Sequence, residues 1–164
     1  LLAPDRIATI MDSLANSTKK IETTIYYSHY YLEAAVTANR MDLFFNRLKL
    51  WKSLSSLGFV TTPEQPEPSR SDCHGWGAHP LFHFYASVLG IRPSEPGFRG
   101  ITIHPQLGAL EFAKGILPHP DGDISVEFHK ENSKVRGKIT VPTGVDAKFI
   151  DKEEEIPFKD SLVL

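Results

Sequence analysis

Residues 124–141 read ISVEFHKENSKVRGKITV, and apolar and polar side chains alternate along this stretch on both sides of Asn132-Ser133. Alternation with a period of two is typical of a strand that turns one face to a core, and Asn-Ser is a turn signal. Shorter alternating segments precede it at 101–104 and 110–113, and Asp121-Gly122 marks another turn. This spacing of short strands and turns predicts an antiparallel β-sandwich.

Before Arg92 the apolar residues recur at helical spacing instead. We expect four helices, over about residues 4–16, 19–39, 42–57 and 80–89. The short connections between the first three predict antiparallel helical hairpins. The chain is therefore expected to have an α+β fold with two domains, a helical one over residues 1–92 and a β-sandwich over residues 93–164.

The composition is that of a folded protein: of 164 residues, 41% are hydrophobic and 23% are charged, and the formal net charge is −2. A near-neutral chain gives no indication of nucleic acid or an anionic membrane as a partner, because both favour a basic surface. One cysteine excludes an internal disulfide framework and a zinc site with several thiolates. We expect no nucleic-acid partner, no membrane partner, no metal and no cofactor.

A long irregular loop, about residues 59–79, separates the third and fourth helices. Loops of this length in compact domains are usually functional or disordered, and the tryptophan and histidines here are a poor composition for disorder. The polar and aromatic residues of interest are Glu64, Glu67, Arg70, Asp72, His74 and Trp76. This set suits polyol recognition, since carboxylates accept from hydroxyls, imidazole donates or accepts, and an indole face stacks on a sugar ring. A carboxylate beside a cleft can also take a proton from water.

Other readings of the same residues stay open. Arg70 and Asp72 are as well suited to an ion pair that braces the loop. Most of the four tyrosines in the second helix are expected to pack, and one of them, Tyr30, to line a sugar cleft. Cys73 and His74 are poorly placed as a nucleophile–base pair, because neighbours in an extended loop point to opposite sides.

Three stretches of the sequence carry a resemblance to a known family: PEPSRSDCHGWGAHP at 66–80, VLGIRP at 88–93 and IHPQLG at 103–108. Together they resemble bacterial α-L-rhamnosidases of glycoside hydrolase family 78. The resemblance extends over nearly the whole chain. It implies that residues 1–92 are the C-terminal portion of an (α/α)6 toroid, the six-hairpin glycosidase fold, and that residues 93–164 are the β-sandwich that follows it. The chain is then expected to be a fragment, which would account for its very broad apolar helix faces and its start at Leu-Leu-Ala-Pro.

The resemblance implies an inverting glycoside hydrolase that releases terminal α-L-rhamnose, with two carboxyl groups about 6.5–9.5 Å apart across the scissile bond. The family's general base follows Thr-Thr-Trp and one further residue, a position that falls on Glu64 when no gap is allowed. Thr62 stands where that tryptophan is usual, so Glu67 is the alternative base. His74 matches the histidine that approaches the sugar, and Trp76 flanks the same pocket.

Arg70, Asp72 and Tyr30 complete the candidate substrate-binding residues. The general acid of the family lies in an earlier loop that no part of this chain matches, so the chain alone is expected to be inactive. Its expected partners are a rhamnose-containing glycoside or polysaccharide and the remainder of its own catalytic domain. The alternatives are a non-catalytic carbohydrate-binding or scaffold protein, or a toroidal glycosidase for fucose or another sugar.

Overall fold

The computed structural model describes residues 3–18, 22–132, 134–152 and 154–164. The chain divides into two compact units, Leu1–Leu81 and Phe82–Leu164. The domain division at 92/93 stays a prediction. Among the described residues, no helix is both long enough and apolar enough to cross a lipid bilayer.

The first unit is built on three helices, α1 (Pro4–Asn16), α2 (Ser28–Thr37) and α3 (Met41–Ser56). The bounds of α1 and α3 agree closely with those that the periodicity predicts. Leu32 and Ala35 of α2 and Phe44 of α3 are fully buried, and α2 packs on α3. The Arg40 guanidinium, between α2 and α3, donates to the carboxylates of Asp12 at 2.6 Å and Asp42 at 2.8 Å and so ties α1 to the turn.

The second helix begins later than predicted, at Ser28 instead of about residue 19. Residues 19–21 of the predicted helix lie outside the described residues. Thr24 supplies local hydrogen bonds that compete with an earlier start: its hydroxyl accepts from the Tyr27 N–H at 3.3 Å, and its carbonyl accepts from the Ser28 hydroxyl at 2.7 Å. These bonds favour a turn over residues 25–27, and the helix follows it.

The fourth predicted helix is present in two parts. A short α4 (His79–His83) continues into a π-helical turn, Phe84–Val88, and the segment ends at Gly90, whose φ of 74° lies in the left-handed region that favours glycine. A side chain at this position would also collide with the backbone of His104, since its Cβ would lie 2.0 Å from the carbonyl oxygen.

The described residues of the second unit form two four-stranded sheets, ordered β1-β2-β6-β7 and β3-β4-β5-β8. Their strands are β1 (Ile91–Pro93), β2 (Gly100–Ile103), β3 (Phe112–His119), β4 (Gly122–Glu131), β5 (Lys134–Thr140), β6 (Asp146–Asp151), β7 (Glu154–Phe158) and β8 (Ser161–Val163). The predicted 124–141 hairpin is the antiparallel pair β4–β5. The predicted α+β fold with an antiparallel-rich sheet region is confirmed, with one parallel pair, β2–β6.

The core of the second unit follows from the alternation along these strands. Inward-facing aliphatic and aromatic side chains from both sheets are buried together, among them Ile101, Ile103, Ile124, Val126, Phe128, Ile139, Ala147 and Phe149. Gly137 lies opposite Phe128, and a Cβ there would stand 1.9 Å from the Glu127 carbonyl oxygen. Only glycine therefore fits this register of the central pair.

Candidate functional site

The loop between α3 and α4 folds back on itself, so that residues 61–64 run beside residues 71–74. The Glu64 N–H donates to the Ser71 carbonyl at 2.9 Å, and the His74 N–H donates to the Thr62 carbonyl at 2.7 Å. The Thr62 hydroxyl in turn donates to the His74 carbonyl at 2.8 Å. The loop thus has a fixed backbone at both Glu64 and His74.

The end of the loop is held against α3. The Trp51 indole N–H donates to the Gly77 carbonyl at 2.7 Å. Gly77 is buried, and a Cβ there would lie 2.8 Å from the Cβ of Thr62, so the two arms of the loop approach each other as closely as glycine allows. The short 3-10 helix Gly75–Ala78 then presents Trp76, whose side chain is 44% exposed.

An aromatic cavity of about 210 Å³ lies between this loop and the start of α2, lined by Tyr26, His29, Tyr30, Trp76 and His79. Its rings meet edge to face: the Tyr26 and Trp76 ring centres are 5.7 Å apart, and those of Tyr26 and Tyr30 are 6.3 Å apart. The His74 ring lies 4.2 Å from that of Trp76. Such a cavity offers apolar ring faces together with hydroxyl and imidazole groups, which is the combination that sugar rings need.

Two titratable groups that line the cavity, Tyr26 and His79, have pKa values shifted in the direction that favours the neutral form. The hydrogen bond with Tyr30 raises the pKa of Tyr26. Burial lowers the pKa of His79, against the opposing effect of the hydrogen bond between its Nε2 and the Ile25 carbonyl, 3.0 Å away. Since a carbonyl only accepts, the neutral His79 carries its proton on Nε2.

One ring nitrogen of His74 is a buried polar atom. Its Nδ1 is buried and has no hydrogen-bond partner among the residues that the structure describes. A buried polar atom without a partner is costly, and binding sites are one place where such atoms are found.

Glu64 and Arg70 form a two-pronged ion pair. The Arg70 Nε–H donates to Oε2 of Glu64 at 3.1 Å, and a terminal guanidinium nitrogen donates to Oε1. The Glu64 side chain is 19% exposed, whereas that of Arg70 is 75% exposed. The ion pair between Arg70 and Asp72, one reading of the sequence, is wrong: among the described residues Arg70 pairs with Glu64, and Asp72 contributes its carbonyl as acceptor for the Thr61 hydroxyl.

Glu67 is exposed at the outer bend of the loop. Its carboxylate accepts from the Ser69 N–H at 3.1 Å, and next to it the Gln65 side-chain amide donates to the Pro68 carbonyl at 2.7 Å. These short-range bonds give Glu67 a local role in shaping the bend.

The structure therefore brings the predicted residues into two groups, Glu64 with Arg70, and His74 with Trp76 and Tyr30. The sequence did not single out the cavity residues Tyr26 and His29 or the loop anchors Thr62 and Trp51. A signal for Tyr26 was available, since residues four apart near the start of a helix share a face with one another. No sequence signal placed Trp76 against that face, because the path of the loop depends on tertiary contacts.

Comparison with known proteins concerns mainly the second unit. Residues 90–156 match the family model described as the bacterial alpha-L-rhamnosidase C-terminal domain. A curated alpha-L-rhamnosidase of Alteromonas sp. (strain LOR) is 40% identical over 68 residues, which cover 41% of this chain and 7% of that protein.

Three solved structures are similar in fold to most of this chain. The GH78 rhamnosidase of Bacillus sp. GL1 matches with a TM-score of 0.70 and 24% identity over 87% of this chain and 17% of its own. The alpha-L-rhamnosidase of Dictyoglumus thermophilum matches with a TM-score of 0.71 and 18% identity over 87% of this chain and 18% of its own. The alpha-L-rhamnosidase of Streptomyces avermitilis, solved in complex with L-rhamnose, matches with a TM-score of 0.60 and 19% identity over 72% of this chain and 13% of its own.

The chain thus spans less than a fifth of the length of each of these relatives. The helices, the loop and the two-sheet unit together have a fold similar to that of one region of these solved rhamnosidases. More particularly, the resemblance to the C-terminal part of bacterial α-L-rhamnosidases is confirmed over residues 90–156, which match the model of that family's C-terminal domain.

Proposed function

We propose that this chain acts as the C-terminal part of an inverting glycoside hydrolase that releases terminal α-L-rhamnose. The observation that carries the proposal is the loop in the first unit, which holds a half-buried, oriented carboxylate and one wall of an aromatic cavity. The match of residues 90–156 to a domain of this enzyme family supports the choice of sugar.

Glu64 is the proposed general base. In an inverting reaction, water forms a bond to the anomeric carbon while its proton passes to the base carboxylate, and the bond to the leaving oxygen breaks as a second carboxylic acid protonates that oxygen. Glu64 suits the first role because its backbone and its carboxylate are both held in place. Glu67 is less suited, since it is exposed at the bend and its carboxylate bonds to the Ser69 N–H.

His74, Trp76 and Tyr30 are the proposed sugar-binding residues. The buried Nδ1 of His74 gives a sugar hydroxyl a partner, and the Trp76 and Tyr30 rings offer apolar faces at the cavity. Asp72 is the further proposed sugar-binding residue, because its exposed carboxylate can accept from a hydroxyl. The proposed domain division remains residues 1–92 for the catalytic part and 93–164 for the sandwich.

The general acid is proposed to come from the remainder of the same catalytic domain, which is also the proposed partner of the first unit. Large apolar side chains of this unit stand in solvent, including Val60 at 97% exposure, Leu81 at 63% and Leu57 at 51%. Side chains of this kind suit contact with further helices. The chain by itself is therefore expected to have no turnover.

The test is hydrolysis of 4-nitrophenyl α-L-rhamnopyranoside by the complete enzyme that carries this chain, followed by proton NMR of the sugar as it is released. The expected first product is β-L-rhamnose, because an inverting reaction changes the α configuration. The α-anomer as first product would contradict the inverting mechanism. Binding of L-rhamnose without hydrolysis would favour a carbohydrate-binding protein, and hydrolysis of an α-L-fucoside alone would favour another toroidal glycosidase.

A further inference from the structure

We propose that Arg70 is a positioning residue that orients the Glu64 carboxylate toward the attacking water, and that it does not bind the sugar. This inference rests on the proposed role of Glu64 as general base. It assigns Arg70, which the sequence placed among the substrate-binding residues, to a different task.

The first argument is the geometry of the pair. Two guanidinium nitrogens of Arg70 donate to the two different oxygens of Glu64. A bidentate contact of this kind fixes the plane of the carboxylate as well as its distance. The other end of the glutamate is fixed too, because the Glu64 N–H donates to the carbonyl of Ser71, the residue next to Arg70.

The second argument is the support that the loop gives to Arg70. The Ser69 hydroxyl donates to the Ser71 carbonyl at 2.9 Å, and the Ser71 N–H lies 3.3 Å from that hydroxyl oxygen. The Ser69 N–H in turn donates to Glu67. The residues on both sides of Arg70 are therefore held by short-range bonds, which limits the freedom of the backbone that carries its side chain.

The third argument is energetic. The Arg70 side chain is 75% exposed, although that of Glu64 is only 19% exposed, and an ion pair with one charge this open to water is screened and contributes little to stability. The ion pair therefore contributes little to the stability of the loop, and its proposed role is to orient the Glu64 carboxylate. An ionised carboxylate has about four acceptor positions, so a bidentate arginine leaves others open for a water molecule.

The experiment measures hydrolysis of an aryl α-L-rhamnoside by variants of the complete enzyme. Three variants carry one substitution each, Arg70→Ala, Arg70→Lys or Glu64→Gln, and a fourth combines Arg70→Ala with Glu64→Gln. Arg70→Ala is expected to lower kcat about tenfold or more and to change KM by less than about twofold, because an oriented base acts in the transition state. Arg70→Lys should recover only part of kcat, since an ammonium group cannot form the two-pronged contact. Methylguanidinium added to Arg70→Ala should restore part of kcat. Arg136→Ala removes an exposed arginine of β5 in the other unit and serves as the matched control.

The double variant separates positioning from other roles. If Arg70 acts through Glu64, adding Arg70→Ala to Glu64→Gln should cost less than about twofold further. A rise in KM with kcat preserved, or a full additional loss in the double variant, would overturn the inference and favour contact with the sugar. A melting temperature lowered by more than about 4 °C in Arg70→Ala, with no rescue by methylguanidinium, would overturn it in favour of a structural brace.

Other outcomes of the same experiment test the proposed function independently of the role of Arg70. If the wild-type enzyme releases no rhamnose, or if Glu64→Gln keeps full turnover, the assignment of the reaction or of the base is wrong. If Glu64→Gln is inactive while Arg70→Ala keeps a normal kcat, only the positioning role of Arg70 is wrong.

Discussion

The two units differ in what they do with their apolar side chains. In the second unit, inward-facing residues of both sheets share one continuous buried core. In the first unit, aromatic residues remain in solvent, with Tyr26 45%, Tyr30 57% and Trp76 44% exposed around a cavity. Because these exposed rings are grouped around one cavity, they indicate a surface for contact with a ligand. The comparison separates a region built for stability from a region that carries the candidate site.

The largest expected effect on stability comes from a substitution in the core of the second unit. Phe128 is fully buried between the sheets, and Phe128→Ala is expected to lower the free energy of unfolding by about 3–5 kcal/mol, the usual cost of removing a buried phenyl ring. Phe112 on β3 is 57% exposed, and Phe112→Ala should change the free energy by less than about 0.5 kcal/mol. Urea titrations followed by the β-sheet circular dichroism signal measure both. Equal losses in the two variants would show that the core is not where we place it.

A smaller effect concerns the loop of the first unit. Gly77→Ala places a Cβ 2.8 Å from the Cβ of Thr62, and we expect a loss of about 1–3 kcal/mol together with displacement of the Trp51–Gly77 contact. Gly75→Ala in the same short helix is the matched control, because nothing lies within 4 Å of its added Cβ. The environment of Trp51, read from its indole N–H chemical shift, should move in the first variant only. An unchanged shift in Gly77→Ala would contradict the close approach of the two arms.

The smallest effect is a pH dependence. Burial lowers the pKa of His79, with weaker contributions from the charges of His29 and Arg47. The unfolded chain therefore binds the proton more readily, and the free energy of unfolding should fall as the pH falls below the ordinary histidine value of 6.5 toward the lowered pKa. His79→Gln should make the stability less dependent on pH in this window. Chemical denaturation at several pH values tests it, and identical slopes in both proteins would contradict the burial of His79.

Much of the fold could be predicted because its signals are local. The alternation at 124–141 identified the β4–β5 hairpin, and helical spacing identified α1 and α3. The parallel pairing of β2 with β6 could not be predicted, since it joins residues 100–103 with residues 146–149 far along the chain. The late start of α2 was missed because the hydroxyl of Thr24 competes with helical hydrogen bonds.

The candidate site was predictable in its residue types but not in its contacts. A loop rich in carboxylate, imidazole and indole indicated sugar chemistry, and the structure places Trp76 at a cavity beside Tyr30. The partner of Arg70 could not be chosen from sequence, because Glu64 and Asp72 are both near it and the fold of the loop decides between them. The contacts of Thr62 with His74 and of Trp51 with Gly77, which hold the loop in place, carry no local signature.

The most direct test of the central claim is the turnover of the Glu64→Gln variant of the complete enzyme, measured with an aryl α-L-rhamnoside beside Glu67→Gln. Glutamine keeps the shape of the side chain but cannot accept the proton from water, so turnover should fall by about 10²–10⁴-fold while substrate binding is retained. Glu67→Gln should have a mild effect, since its carboxylate bonds to the Ser69 N–H at an exposed bend. Near wild-type turnover in Glu64→Gln with an inactive Glu67→Gln would move the base to Glu67, and normal turnover in both would contradict a catalytic role for this loop.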